Sequence, residues 1–263
     1  MKGIILAGGH GTRLRPLTTV ISKQLLPIYN KPMVFYPLST LMQGGIRDIL
    51  LISTKEDLPQ YRRLLGDGEQ FGITIEYVEQ ENPRGLPEAF IIGSEFIGDN
   101  PVTLILGDNI FYSKEMSRIL SEAIEGHSGA TVFGVQVKDP ERFGVARFDA
   151  NGDVVEIVEK PKNPPSNVAV TGLYIYSNDV IEKSRRLVVS ERGELEISEL
   201  NQNFISEERL SLVKLGEDTR WLDTGTHDSM LEAAIFVKDM EESSLISIGH
   251  PARVSLEMGF IKG

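Results

Sequence analysis

The chain has 263 residues, of which 41% are hydrophobic, with no cysteine and a formal charge of −11. That length holds one large α/β domain or two ordinary ones, and the missing cysteines exclude disulfides, thiolate metal sites and thiol catalysis. The negative charge argues against a nucleic-acid or anionic-membrane partner, both of which it repels at long range, so a bound polyanion has to be met by a local cation cluster or a metal.

The first half alternates apolar, β-branched runs with longer amphipathic stretches, as βαβ units around a mainly parallel sheet do. "GIILAG" reads as the first strand, and the few apolar residues ahead of its glycines are too short a run for a signal peptide. "KPMVFYPLSTLMQGG" reads as a helix with Pro32 near its first turn and Gly44-Gly45 as its stop. "RDILLIST" is a second strand, "EDLPQYRRLL" a second helix closed by "GDG", and "ITIEYVEQ" a third strand; "LPEAFIIGSEFIG" and "PVTLILGD" continue the rhythm. This order implies right-handed crossovers and a ligand crevice beyond the carboxyl ends of the strands.

Past residue 140 the rhythm changes. "FGVARFDANGDVVEIVEKP" reads as two alternating strands around Asn151-Gly152, a strong hairpin signal. "VAVTGLYIYS" is another strand, "ISELNQNFIS" a helix, "LSLVKLG" a strand, and "THDSMLEAAIFVKDMEE" a helix capped by Thr226 with a broad apolar stripe. The tail "HPARVSLEMGFIKG" is a docked helix or a frayed end. With no repeat, no low-complexity linker and no apolar run of about 18 residues, the chain reads as one soluble, cytoplasmic α/β body with an insertion or half-domain.

"LAGGHGTRLRP" places Gly8, Gly9 and Gly11 where a strand enters a turn, so backbone N–H groups can cradle anionic oxygens. The dinucleotide fingerprint fails, because its third glycine position is Leu14 and its acid position falls among Tyr29, Asn30 and Lys31; no Gly-Lys-Ser or Gly-Lys-Thr makes a P-loop. Arg13 just after the turn and Lys23 beyond it suit a triphosphate whose charge is held while a bond breaks, although a glycine triplet also simply permits a tight turn. "LILGDNIF" ends a strand in Asp108, a suitable Mg²⁺ ligand when phosphates supply further oxygens or a turn-forming aspartate. Asp223 in "RWLDTGT" reads by itself as a cap or turn aspartate, and the Glu159-Lys160 pair that ends the hairpin in "VEKP" as a solvated face. The four histidines have no metal spacing, and no G-x-S-x-G elbow is present.

Taken together, "LAGGHGTRLRPLT", "SKQLLPIYNKPM", "LGDNIF", "DPERFGV", "EKP", "VTGLYIY", "RGELEI" and "WLDTGTHDS" closely resemble the sugar-1-phosphate nucleotidyltransferases, in order from Gly3 to about Phe236. The resemblance implies the nucleotide-diphospho-sugar transferase fold, a Rossmann-like, mainly parallel sheet flanked by helices with a smaller β-rich sugar-binding part. It implies a single domain over 1–263, with 1–140 mainly for the nucleotide, 141–240 mainly for the sugar phosphate and 241–263 as tail. It implies transfer of a thymidylyl group from dTTP to glucose 1-phosphate, giving dTDP-glucose and pyrophosphate with Mg²⁺, in a homo-oligomer (dimer or tetramer).

By the same likeness Gly8, Gly9, Gly11 and Thr12 line the triphosphate, Arg13 grips the departing phosphates and Lys23 reaches them too. Asp108 and Asp223 hold the metal. Gln80 and Gly85 read the base with Leu6 and Gln24 nearby, while Gly144, Glu159, Lys160 and Val170 surround the hexose phosphate. The base-reading loop departs from the family at Arg84, Pro87 and Glu88, and His10 stands where relatives often have serine. A UTP-using or relaxed-specificity enzyme and a non-catalytic sugar-nucleotide sensor stay open as alternatives.

Overall fold

The structure, a computed structural model, describes residues 1–9, 11–244 and 246–262. In chain order the elements are β1 (Lys2–Leu6), β2 (Pro27–Ile28), β3 (Lys31–Pro32), α1 (Phe35–Gln43), β4 (Asp48–Ser53), α2 (Leu58–Leu65), β5 (Thr74–Glu79), α3 (Glu88–Ile92), α4 (Ser94–Ile97) and β6 (Val102–Leu106). They continue with β7 (Asn109–Tyr112), α5 (Met116–Glu125), β8 (Ala130–Gln136), β9 (Gly144–Phe148), β10 (Val154–Glu159), β11 (Val168–Tyr176), α6 (Val180–Arg186), α7 (Ile197–Ser206), β12 (Leu210–Lys214), β13 (Arg220–Asp223), α8 (His227–Ser244) and α9 (Pro251–Glu257). The chain forms two compact units: the first holds 2–82, 105–121 and 218 onward, the second 83–104 and 122–217 with Met1.

In the first unit β1, β4 and β5 run parallel, with Gly3 opposite Ile49 and Asp48 opposite Thr74 at the head of each ladder. Ile4, Ile5, Leu50 and Leu51 are fully buried, as expected where a parallel sheet is covered on both faces. Helix α1 packs against β1 and α2 against β5. The α/β class and the parallel rhythm of the first half are as the sequence suggests.

Pro32 is not in a helix. It pairs with Pro27 across a turn in which Tyr29 takes φ 56°, and the next two amides, of Met33 and Val34, donate to the Leu26 and Gln24 carbonyls. The pairing of Lys31 and Pro32 with Ile28 and Pro27 keeps that segment extended, and α1 starts at Phe35. The tail is docked rather than frayed: α9 buries Val254, and Ser255 Oγ donates to the Phe71 carbonyl at 2.6 Å.

Thr226 caps α8 as expected, accepting from the Ser229 amide at 3.2 Å while Ser229 Oγ accepts from the Thr226 amide at 2.9 Å. Of the helix's stripe, Ala233 and Val237 join a core of Ile28, Met33, Tyr36, Ile110 and Ile248, whereas Leu231 and Ile235 face outward.

In the second unit β9 and β10 form the hairpin around Asn151-Gly152, its tip held by Asp149, which accepts the Asn151 and Asp153 amides at 2.9 Å each. Strand β11, buried along its whole length, pairs antiparallel with β9 and β8, and β12 runs parallel to β8. Helix α7 lies against β10 and β12. Among the described residues no helix is long and apolar enough to cross a membrane.

Candidate active site

The glycine loop grows directly out of β1. Gln80, buried at the end of β5 with its amide bonded to the Ser53 carbonyl, brings its side chain so close to Gly8 that a β-carbon there would lie 2.3 Å from Gln80 Oε1. Gly9 (φ 105°) and Gly11 (φ 54°) take left-handed conformations that glycine alone adopts cheaply, and Thr18 Oγ1 donates to the Gly11 carbonyl at 2.7 Å. The 3₁₀ turn Thr12–Leu14 follows. It buries Leu14 completely and leaves Arg13 exposed. Leu14, which breaks the dinucleotide fingerprint, is therefore the apolar anchor of the loop.

Beyond β6 the chain turns at Gly107-Asp108 and enters β7, which pairs antiparallel with β13, Asn109 opposite Asp223. That ladder brings the two aspartates, far apart in sequence, to one end of a two-stranded ribbon. Lys23 Nζ donates to Asp108 Oδ2 at 2.5 Å, with side chains 8% and 22% exposed. Trp221 Nε1 donates to Asn109 Oδ1 at 2.6 Å and Asn109 Nδ2 donates to Asp108 Oδ1 at 2.9 Å, so the indole, a donor only, sets which way the Asn109 amide faces. A β-carbon at Gly225 would lie 3.2 Å from both terminal nitrogens of Arg13 and 3.3 Å from Asp223 Oδ2. Lys23 thus pairs with Asp108, while Arg13 and Asp223 both border Gly225.

Leu6 ends β1, its carbonyl accepting from the Gly107 amide at 2.9 Å. Gln24 is buried beside Gly107, and Ser22 Oγ donates to its Oε1 at 3.1 Å, with Tyr61 OH 2.8 Å from Ser22 Oγ. Burial pushes the Tyr61 phenol well above its ordinary range, so it stays a neutral hydroxyl.

The remaining candidates lie in the second unit. Gly144 is opposite both Glu159 on β10 and Val170 on β11, which puts three of them in one row across three strands. Lys160 follows with φ 42°, its amide donating to the Phe143 carbonyl and its Nζ 3.6 Å from Glu159 Oε1. Arg192, which carried no assigned role, stands 3.6 Å from Glu196 and 4.0 Å from Glu159. Gly85 (φ 103°) lies so close to Leu195 that a β-carbon would fall 2.1 Å from its carbonyl oxygen. Glu88, with its side chain 5% exposed, accepts from the Arg84 amide at 3.0 Å and from Arg84 Nε at 2.7 Å. The departures at Arg84 and Glu88 therefore fix the shape of the Gly85 loop.

Sequence reasoning gave no part to Thr224, Asn109, Trp221, Tyr61 or Arg192. Asn109, Trp221, Thr224 and Arg192 stand inside the quoted motifs, which was the one available signal; for Tyr61, on an amphipathic helix, there was none. Among the described residues no group of three or more His, Asp or Glu could hold a metal.

A profile of the nucleotidyl transferase family matches residues 2–240, and the chain belongs to that family. It is 52% identical over 261 residues to the glucose-1-phosphate thymidylyltransferase of Neisseria meningitidis serogroup A (strain Z2491), covering 99% of this chain and 91% of that protein. It is 50% identical, over 99% of this chain and 90% of that protein, to the glucose-1-phosphate thymidylyltransferase of Mycobacterium tuberculosis (strain H37Rv). A solved structure from Bacillus anthracis, described as a candidate glucose-1-phosphate thymidylyltransferase in complex with sucrose, superposes with a TM-score of 0.86 at 38% identity, covering 96% of this chain and 99% of that one. A UDP-glucose pyrophosphorylase complexed with UDP-glucose shares the fold, with a TM-score of 0.79 at 23% identity over 90% of this chain and 98% of that one.

Proposed function

We propose that the protein transfers the thymidylyl group of dTTP to glucose 1-phosphate, releasing dTDP-glucose and pyrophosphate. The observation that carries this is the meeting of Arg13, Lys23, Asp108 and Asp223 beside the glycine loop, Lys23 being 2.5 Å from Asp108 and Arg13 and Asp223 both against Gly225. A phosphate oxygen of glucose 1-phosphate attacks the α-phosphorus of dTTP in line and pyrophosphate departs. The nucleophile is already an anion, so no protein base is required; the difficulty is to hold two polyanions together and stabilise the charge on phosphorus.

The amides of Gly8, Gly9, Gly11 and Thr12 line the triphosphate. Arg13 grips the departing phosphates, and Lys23 turns from Asp108 to the same triphosphate, exchanging a carboxylate for a phosphate. The carboxylates of Asp108 and Asp223 are hard oxygen donors that would suit Mg²⁺ beside the phosphates. When bound there, the metal supplies charge stabilisation at the phosphates. Gln80, Gln24, Leu6 and Gly85 read the nucleotide. Lys160 holds the hexose phosphate, Glu159 accepts from sugar hydroxyls, and Gly144 and Val170 complete that row. The same reading carries an assembly of identical chains, dimer or tetramer.

Pyrophosphate release measured with dTTP, UTP, CTP and GTP against several sugar 1-phosphates tests the assignment. Highest kcat/KM is expected for dTTP with glucose 1-phosphate; no turnover with dTTP would overturn it. Asp108→Asn and Asp223→Asn each lower the rate by roughly 10²-fold or more, the scale of losing one preorganised charge contact. A sensor without chemistry has no need of both carboxylates, and turnover by the wild type would decide against it.

A further inference from the structure

We infer that Thr224 is a positioning residue that sets the spacing of Asp108 and Asp223, an inference that rests on the reading of that pair as the metal-holding carboxylates. Strand pairing cannot do this. The β7–β13 ladder ends at Asn109 opposite Asp223, and Asp108 lies before it in a turn, where no ladder register constrains it. Side chains one residue apart on neighbouring strands also alternate between faces of a regular ribbon, so continuing the ladder would set the two carboxylates on opposite sides.

Thr224 replaces that missing constraint. It directly follows Asp223 and is fully buried. Its amide donates to the Asp108 carbonyl at 3.2 Å and its hydroxyl donates to the same oxygen at 2.7 Å. The Met33 sulfur touches the hydroxyl from the other side at 3.2 Å, but the hydroxyl has one hydrogen and the carbonyl is the closer and stronger acceptor. Both lone-pair sites of the Asp108 carbonyl are thereby held by one residue, which is covalently joined to Asp223. Displacing the hydroxyl lets Asp108 turn about the single remaining amide bond.

The test compares the affinity of the whole protein for dTTP by calorimetry, without sugar phosphate, in excess Mg²⁺ and in EDTA. The ratio of the two dissociation constants isolates the metal-dependent part of binding. Thr224→Val, close in shape but without the hydroxyl, is expected to lower that ratio by about 10-fold or more, the usual cost of losing a partner behind a metal ligand, with affinity in EDTA unchanged. Thr224→Ser restores it. If valine lowers the melting temperature markedly, Thr224→Ala carries the same comparison. An unchanged ratio in the valine or alanine variant, or equal losses with and without Mg²⁺, would overturn the inference. Asp223→Asn serves as the reference: a collapsed ratio there beside an intact one at Thr224→Val defeats the positioning role alone, whereas an intact ratio at Asp223→Asn defeats the metal reading and the inference together.

Discussion

Lys23 Nζ and Asp108 Oδ2 are 2.5 Å apart in a setting where the lysine side chain is only 8% exposed. On the proposed reading one cation serves two partners in turn, the carboxylate before the nucleotide arrives and the triphosphate afterwards. Lys23→Met is expected to lower kcat by roughly 10²–10³-fold. It also leaves Asp108 uncompensated; its partial exposure reduces the cost from the 3–5 kcal/mol of a fully buried pair to about 1–2 kcal/mol. Adding Asp108→Asn restores the stability and not the activity. Denaturant unfolding of the single and double variants checks this, and a double variant no more stable than Lys23→Met would show that the pair does not hold the ligand-free protein.

Gly8 and Gly85 are both crowded, but by different things, and alanine should separate them. At Gly8 the obstacle is the far end of Gln80, 2.3 Å away, which can swing aside and lose its place in the proposed nucleotide site. Gly8→Ala is expected to raise the KM for dTTP about 10-fold, on the order of one good hydrogen bond, with the melting temperature close to wild type. At Gly85 the obstacle is the Leu195 backbone at 2.1 Å, and φ is 103°. Gly85→Ala costs roughly 1–3 kcal/mol in strain alone and lowers the melting temperature. Melting curves beside steady-state kinetics distinguish the two; equal thermal losses would refute the contrast.

The residues of this site were legible to the extent that their chemistry is local. A strand running into Gly8-Gly9, the Asn151-Gly152 turn and the Thr226 cap each rely on neighbours a few positions away, and each forms as the pattern suggests. The β7–β13 ladder brings Asp108 and Asp223 to one end of a ribbon and the Thr224 hydroxyl holds the Asp108 carbonyl, contacts between segments more than a hundred positions apart that leave no periodic trace. Pro32 was misleading for a related reason. It suits a helix's first turn by type, but pairing with Pro27 across the Tyr29 turn holds it extended.

The chain of donors from Trp221 through Asn109 to Asp108 makes the indole N–H the element that chooses the Asn109 rotamer. Trp221→Phe keeps the ring's bulk and removes the donor. It is expected to lower kcat/KM by about 10-fold, as loss of a group orienting a ligand carboxylate does. The protein stays folded by far-ultraviolet circular dichroism. A kcat/KM within twofold of wild type would mean that Asn109 holds its orientation without Trp221.

Glu241 ties the end of α8 to the turn ahead of α1. Its Oε1 accepts from Lys31 Nζ at 2.7 Å and from the Ile248 amide at 3.0 Å, and its Oε2 from Asn30 Nδ2 at 3.0 Å. Desolvation by itself raises this carboxyl, but Lys31, the Ile248 amide and Asn30 outweigh it and hold it below the ordinary glutamate range. A depressed folded-state value contributes stability that is complete above the unfolded value of about 4.3 and is lost as pH falls through it toward the folded one. Glu241→Gln cannot ionise. The variant is therefore expected to be less stable than wild type at about pH 6, with the gap narrowing as pH falls below about 4. Urea midpoints of both proteins across that range measure the gap. A constant difference between them would show that Glu241 acts through packing and neutral hydrogen bonds, and that the charge on Lys31 has no part in joining α8 to the turn.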